Sequence, residues 1–369
     1  MKNKSLLLTF SYNYNYGAIL QTYAMIKALD KIGIDCELPK YVPHYVSGNA
    51  SFYRGIGIKG PTPLKSISKR LRQYKRYKKF DKFRNEYLPI NKKLNSIESL
   101  KINIENYSSV ITGSDQTWNT NWMKEFESFY FQGFYKNKKV KKVSYASCFG
   151  NYEQPEKYTQ KIADCLSDFD HVAVRNDMSQ KVYESITKKE CRKVVDPTLL
   201  HDFSDLVKPE WEEELDIILV YALDVHNLQE GQRIANELQE LGGGKIVFIN
   251  GEKSIEVDWA DELRNDKGPL DWLEYFYRAK YIVTDSFHGC VFATKFQKKF
   301  VPYTQGWRAG RIENFCQQSG INDILINEKS IDRSITEDYW NTIDWNNVSS
   351  KLIAMRKDSL EYLVSVISE

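Results

Sequence analysis

The chain has no long apolar run. Its best uninterrupted stretch, residues 217–223, has the length of a buried strand, whereas a membrane-spanning helix needs about 20 apolar residues. Paired cysteines are also missing. Cys36, Cys148, Cys165, Cys191, Cys290 and Cys316 are far apart with no C-x-x-C spacing, which argues against both a disulfide frame and a zinc site. Reduced, mostly buried thiols in a cytoplasmic protein are the expectation. Charge of one sign is scarce too: 52 basic residues against 49 acidic ones leave +3, so global charge does not mark a nucleic-acid binder. The opening "MKNKSLLLTF" is basic, but its apolar part ends at once in the polar "SYNYNYG", too short for a signal-peptide core. Internal repeats and low-complexity tracts are absent as well.

What is present suffices for substantial cores. Aromatic residues make up 14% and hydrophobic residues 42% of 369, and at about 150 residues per domain the length suggests two. Short apolar runs alternate with helical patterns. Residues 6–10, 109–112, 140–146, 171–174 and 193–195 read as strands. After the acidic, strand-poor "HDFSDLVKPEWEEELD", a second series follows at 217–223, 245–249, 281–284 and 299–303. Helical spacing marks residues 18–29, 228–241, 271–279, 290–295, 311–318 and 346–367. Strand–helix alternation with continuous apolar strands predicts parallel sheets covered on both faces. The expected architecture is therefore α/β, with two Rossmann-like parallel-sheet domains facing across a cleft. Residues 1–205 form the first domain and 206–345 the second, and a last helix at 346–369 crosses back to the first.

One segment stands apart by charge. Between Lys65 and Arg84, ten basic residues face a single Asp81, while Leu64, Ile67, Leu71, Tyr74, Tyr77, Phe80 and Phe83 form a stripe at intervals of three or four. This is a basic amphipathic helix, assigned to the first domain. Two readings stay open: a helix packed by its stripe with solvated charges, or one drawn to an anionic membrane surface or a lipid-linked pyrophosphate. Nucleic acid is the weaker third.

In open parallel sheets, ligands bind where strands end and helices begin. Polar residues collect at those positions. After the first strand, "SYNYNYGAILQ" offers Asn15, Tyr16, Gly17 and Gln21 at a helix start, suited to phosphate or sugar hydroxyls; an Asn-rich turn shaped by its glycine is the plain alternative. It is not a Walker loop, since no Gly-Lys-Ser/Thr follows. "VITGSDQTWN" places Ser114, Asp115 and Gln116 in an elbow, with Trp118 behind. Asp115 can orient or deprotonate a hydroxyl or simply cap a helix, and Trp118 can stack on a sugar or fill the core. Arg175 ends an apolar strand in "VAVRNDMS", where a guanidinium suits carboxylate or phosphate; a structural ion pair with Asp177 or another aspartate is the alternative. In "YIVTDSFHGCVF", a strand ends at Asp285–Ser286, and His288–Gly289 opens a helix. An imidazole at a helix N-terminus, with Asp285 near to compensate the dipole, is placed for proton transfer. The other histidines, His44, His171, His201 and His226, have no comparable setting, and no ligand-spaced partner makes His288 a metal site. Finally, "YTQGWRAGRIENF" brings Arg308 and Arg311 to a helix start, where with Arg175 they can form a cationic pocket.

These motifs in this order resemble the polysaccharide pyruvyl transferase family: "NYGAILQ", "ITGSDQTWN", "YASCFG", "VRNDMS", "DPTLL" and "VTDSFHG". The resemblance spans about residues 6–318. It implies a two-lobed fold like that of the GT-B glycosyltransferases. It also implies transfer of the pyruvyl group of phosphoenolpyruvate to a sugar as a ketal, during synthesis of cell-surface polysaccharides such as exopolysaccharide or capsule. On that resemblance, His288 matches the catalytic histidine and Asp115 acts on the acceptor hydroxyl. Arg175, Ser286, Gly289, Arg308 and Arg311 bind the donor. Asn15, Tyr16, Gly17, Gln21, Ser114, Gln116 and Trp118 bind the acceptor. Many relatives carry an arginine two residues before the histidine, where this chain has Ser286, so Arg308 or Arg311 replaces that cation. No cofactor or metal is implied beyond phosphoenolpyruvate as co-substrate. The expected partner is a lipid-linked or nucleotide-linked saccharide, with the protein cytoplasmic or peripheral at the inner face of the plasma membrane. The alternatives are a nucleotide-sugar glycosyltransferase of the same fold and a non-enzymatic saccharide- or membrane-binding partner.

Overall fold

Strands buried on both faces read as near-continuous apolar runs, as residues 6–8 and 217–222 do. The computed structural model describes residues 4–46, 64–136, 139–150, 154–251, 255–304, 306 and 309–368. Its first sheet is built from β1 (Lys4–Leu8), β2 (Asp35–Pro39), β3 (Ile90–Asn91), β4 (Ser109–Thr112), β5 (Lys141–Ser147), β6 (His171–Val174) and β7 (Arg192–Lys193), in the order β3-β2-β1-β4-β5-β6-β7. The second comprises β8 (Leu215–Ala222), β9 (Lys245–Asn250), β10 (Glu262–Leu263), β11 (Ala279–Thr284) and β12 (Lys299–Pro302), in the order β10-β9-β8-β11-β12. Every pairing is parallel. Leu6, Leu7 and Leu8 of β1 and Ile218, Leu219 and Val220 of β8 are wholly inaccessible to solvent.

The connecting helices are α1 (Tyr16–Lys31), α2 (Leu64–Tyr87), α3 (Ile97–Asn103), α4 (Thr159–Ser167), α5 (Asp177–Thr187), α6 (Leu228–Gly242), α7 (Pro269–Arg278), α8 (Phe287–Lys295), α9 (Ala309–Ser319) and α10 (Trp345–Ser368). The expectation of two parallel-sheet α/β domains is met. In each sheet the strand order reverses direction beside the first strand, between β1 and β4 and again between β8 and β11. Those switch points are where the loops at the carboxyl edge diverge and leave room for a ligand.

The chain divides into two compact units. One holds the described residues of Met1–Gly57, Arg84–His201 and Met355–Glu369, the other those of Ile58–Phe83 and Asp202–Ala354. The basic helix α2, assigned from sequence to the first domain, thus groups with the second unit as far as Phe83. The reason lies in its cations: Arg76 donates to the backbone oxygens of Asn250 (3.1 Å) and Gly251, Arg72 pairs with Glu256, and Lys79 pairs with Asp271. In the first unit, α10 is held by Tyr362 Oη donating to the Ser144 oxygen at 3.2 Å and by Ser359 Oγ accepting the Val195 N–H at 3.0 Å. Among the described residues, no helix is long and apolar enough to cross a membrane.

Candidate active site

The first unit's switch point is closed by backbone and buried side chains. Gly113 N–H donates to the Leu8 oxygen at 2.9 Å, and Thr9 Oγ1 donates to the Ser114 oxygen at 3.0 Å, tying the loop after β1 to the elbow after β4. A side chain at position 113 would press on Leu7 and Thr9, its Cβ 3.0 Å from Leu7 Cδ1 and 3.1 Å from Thr9 Cβ. Gln21, wholly buried on α1, donates to Thr9 Oγ1 and to the Ala18 oxygen, both at 2.9 Å. Asn15 is the N-cap of α1, its Oδ1 accepting the Ala18 N–H at 3.0 Å. Tyr16 and Gly17 are buried in that helix's first turn. Tyr16, Gly17 and Gln21 therefore shape the loop from within, while Asn15 is half-buried at its end.

Behind the elbow lies a buried ionic hub that sequence reasoning passed over. Asp196, in the D-P-T turn, accepts from Ser114 Oγ and from Arg175 Nη1 on one carboxylate oxygen, both at 2.9 Å. Its other oxygen accepts from the N–H (3.0 Å) and hydroxyl (2.8 Å) of Thr198. Arg175 Nη2 also stands 3.9 Å from Asp115 Oδ1. Burial works against the guanidinium's charge, but Cys148, Asp196 and Asp115 outweigh it and raise the Arg175 pKa above the ordinary arginine value. The ion-pair partner is thus Asp196 rather than Asp177, which pairs with Lys193. The only sequence signal for Asp196 was "DPTLL", an aspartate capping a turn with proline at its first position.

Asp115 is the half-buried tip of this network. Its φ of +82° lies in the left-handed region, which aspartate tolerates better than most residues, and its Oδ1 accepts the Gln116 N–H at 2.8 Å. Gln116 is half-buried, its Oε1 accepting from Asn119 Nδ2 at 2.9 Å. Trp118 corrects the expectation of a sugar-stacking ring. It is fully buried, its Nε1 donates to the Tyr130 oxygen at 3.0 Å, and it packs on Phe131, Phe149 and Phe169. An indole with its N–H satisfied inside an aromatic cluster is core. Cys148, at the end of β5, gathers three donors at its sulfur: Gly150 N–H at 3.2 Å, Ser179 Oγ at 3.4 Å and Asn176 Nδ2 at 3.5 Å.

The second unit's edge is built differently. β11 ends at Thr284, and the Asp285 carboxylate accepts the N–H of Leu223 at 2.7 Å and of Asp224 at 2.9 Å. It thereby ties the loop after β8 to the loop after β11 across that sheet's switch point. Ser286 caps α8, its Oγ accepting the Gly289 N–H at 3.3 Å. Gly289 has no room for more: an added Cβ would lie 2.2 Å from Thr284 Oγ1. Ser286 and Gly289 thus set the start of α8 and carry His288 in its first turn, half-buried, edge-to-face with Phe287 at 5.1 Å. Phe287 in turn meets Phe315 of α9 at 5.7 Å. Arg311 precedes Phe315 by four residues and so shares its helix face, which places an arginine on the neighbouring helix's first turn. Arg308 lies outside the described residues. Arg175 and Arg311 belong to different units. Among the described residues no cluster of three or more histidine, cysteine, aspartate or glutamate side chains is placed to hold a metal ion.

Both carboxyl edges thus carry polar side chains at a switch point, one with a carboxylate tip and one with a histidine and an arginine. No curated protein matches the chain in sequence. Among solved structures, a protein described as a UDP-N-acetylglucosamine 2-epimerase from Listeria monocytogenes is similar in fold, with a TM-score of 0.52 at 11% identity, covering 100% of this chain and 96% of that one. The UDP co-structure of Staphylococcus aureus MnaA gives 0.50 at 13% identity, covering 99% and 95%. These likenesses extend over both units and concern the fold. The family model for polysaccharide pyruvyl transferase matches residues 15–305, from the cap of α1 to the loop after β12, and the chain belongs to that family.

Proposed function

We propose that this transferase moves the pyruvyl group of phosphoenolpyruvate onto a sugar of a polysaccharide precursor, forming a ketal. The observation that carries the reading is His288 in the first turn of α8, with Arg311 in the first turn of the adjoining α9. Phosphoenolpyruvate bears a carboxylate and a phosphate, and a guanidinium fork suits either. Arg311, with Arg308 beside it in sequence, supplies that grip in the second unit.

The chemistry needs one proton delivered and two removed. His288 in its imidazolium form gives a proton to the methylene carbon of the enol, leaving a cationic centre at the carbon bearing the phosphate. A sugar hydroxyl attacks that carbon, and one C–O bond forms as its proton leaves. Phosphate then departs with the electron pair of its C–O bond, and a second hydroxyl of the same sugar closes the ketal. The neutral imidazole takes back one of the two hydroxyl protons, and the other leaves with phosphate. In the first unit, Asp115 is the candidate to orient the acceptor hydroxyl, and Arg175 positions Asp115. The acceptor is a lipid-linked or nucleotide-linked saccharide.

Incubation with phosphoenolpyruvate and a panel of such glycosides tests this: phosphate release is expected only when acceptor is present. His288→Ala should lower the rate about 100-fold or more, the usual worth of a positioned general acid, with the melting temperature unchanged. No release with any acceptor, together with stabilisation by nucleotide diphosphates in a thermal-shift assay, would replace this reading by sugar transfer from a nucleotide donor.

A further inference from the structure

The basic helix α2 has a role that its charge alone does not reveal. Two of its arginines are almost wholly buried, Arg76 at 4% and Arg84 at 3% exposure. A cation removed from water this far is costly unless its partners are good. Three groups that engage Arg84 lie on one loop, that between β1 and α1, at the first unit's switch point. Its Nε donates to the Ser11 oxygen at 2.8 Å, and its guanidinium carbon lies 5.1 Å from the Tyr12 ring centroid and 5.3 Å from that of Tyr14. One planar fork thus engages a carbonyl and two aromatic rings, a combination that suits arginine better than lysine.

The far end of the same loop is fixed by the Asn15 cap and its near end by the Ser11 N–H donating to the Thr9 oxygen at 2.8 Å. Between them, Tyr12, Asn13 and Tyr14 are half-buried at the edge where a ligand would bind. Aromatic rings and amide side chains presented together suit a saccharide, whose apolar faces stack and whose hydroxyls hydrogen-bond.

We infer that Arg84 is a positioning residue: it holds Tyr12 and Tyr14 in the conformation that receives the saccharide acceptor. The inference rests on the proposed function for its ligand and on geometry for the clamp. Arg76 provides the control. It sits two turns earlier on the same helix and is equally buried, but its guanidinium donates to the carbonyls of Asn250 and Gly251 at the end of β9.

Hydrogen exchange on the full-length protein reads the clamp directly. In Arg84→Gln, amides of residues 10–15 should exchange about 10-fold faster or more, with Arg84→Lys intermediate and Arg76→Gln without effect on that loop. In the phosphate-release assay, Arg84→Gln should raise the acceptor KM about 10-fold, leaving kcat and the phosphoenolpyruvate KM within about twofold, with partial rescue by lysine. Unchanged exchange at residues 10–15 overturns the inference. So does an equal loss for both substrates in the glutamine and lysine variants, which is what mere destabilisation produces. If the unaltered protein releases no phosphate with any acceptor, the proposed function fails, and the exchange result alone decides whether Arg84 holds the loop.

Discussion

The two sheets carry their polar groups at equivalent switch points but hold them by opposite means. In the first unit, side chain mostly holds side chain: Asp196 accepts three side-chain hydrogen bonds and one from backbone, and Arg175 and Ser114 share one of its oxygens. In the second, side chain holds backbone: Asp285 grips two N–H groups of the neighbouring loop, and Ser286 caps the helix that bears His288. A buried charge network fixes geometry at high cost, because each member depends on the others. The first arrangement rests on charge and burial, the second on a carboxylate that accepts from main-chain donors.

If that contrast is right, breaking the hub should be the most damaging change in the chain. Asp196→Ala leaves Arg175 buried without its principal partner and should cost about 3–5 kcal/mol, read by urea denaturation of the two-unit protein as loss of the first transition or of expression. Next comes a tight contact of the second unit. Gly289→Ala drives a methyl group into Thr284 Oγ1, which cannot swing aside freely because it donates to the Tyr221 oxygen at 2.8 Å and accepts the Ser286 N–H at 3.1 Å. An overpacked site of this kind costs about 1–3 kcal/mol, and the start of α8 should shift with it, so activity should fall further than stability. Asp285→Asn, which keeps one acceptor oxygen and loses the other, should cost about 1–2 kcal/mol. A larger loss for Asp285→Asn than for Asp196→Ala would reverse the comparison.

Much of this architecture was written in apolar periodicity. Residues 109–112 and 171–174 were read to their ends, and the remaining long strands to within a few residues, since a strand buried on both faces cannot hide its composition. β2 escaped notice because "DCELP" alternates rather than runs: Cys36 and Leu38 are buried, Asp35 is exposed and Glu37 half-buried. The two-residue strands β3, β7 and β10 carry no periodicity at all, although the run at 193–195 touched β7. At the site, glycine, cap and histidine were legible because short-range geometry demands them. Asp196 and Arg84 were not, since what makes each important is a partner dozens of residues away: Ser114 and Arg175 for one, Ser11, Tyr12 and Tyr14 for the other. Trp118 was misread for the converse reason, as nothing local tells an indole bound for the core from one facing a sugar.

A third carboxylate sharpens the contrast from the weak side. Glu37, on β2 of the first sheet, also accepts from three donors: Lys4 Nζ, Asn91 Nδ2 at 2.9 Å and Tyr107 Oη at 2.7 Å. It differs from Asp196 in exposure, its side chain being 23% accessible against 0%. Burial raises its pKa, but the bonds from Lys4, Asn91 and Tyr107 prevail, and the net shift is downward from the ordinary value of 4.5. A carboxylate whose folded pKa is depressed contributes stability above its unfolded pKa and loses it as pH falls through the folded one. Glu37→Gln should therefore be less stable than the unaltered protein near neutrality by no more than about 1 kcal/mol, because solvent screens the pair. The two should converge as pH is lowered below 4.5. Urea titrations at neutral and acid pH would show it. A cost rivalling that of Asp196→Ala would mean that the number of hydrogen bonds, rather than their burial, decides what a carboxylate is worth in this fold.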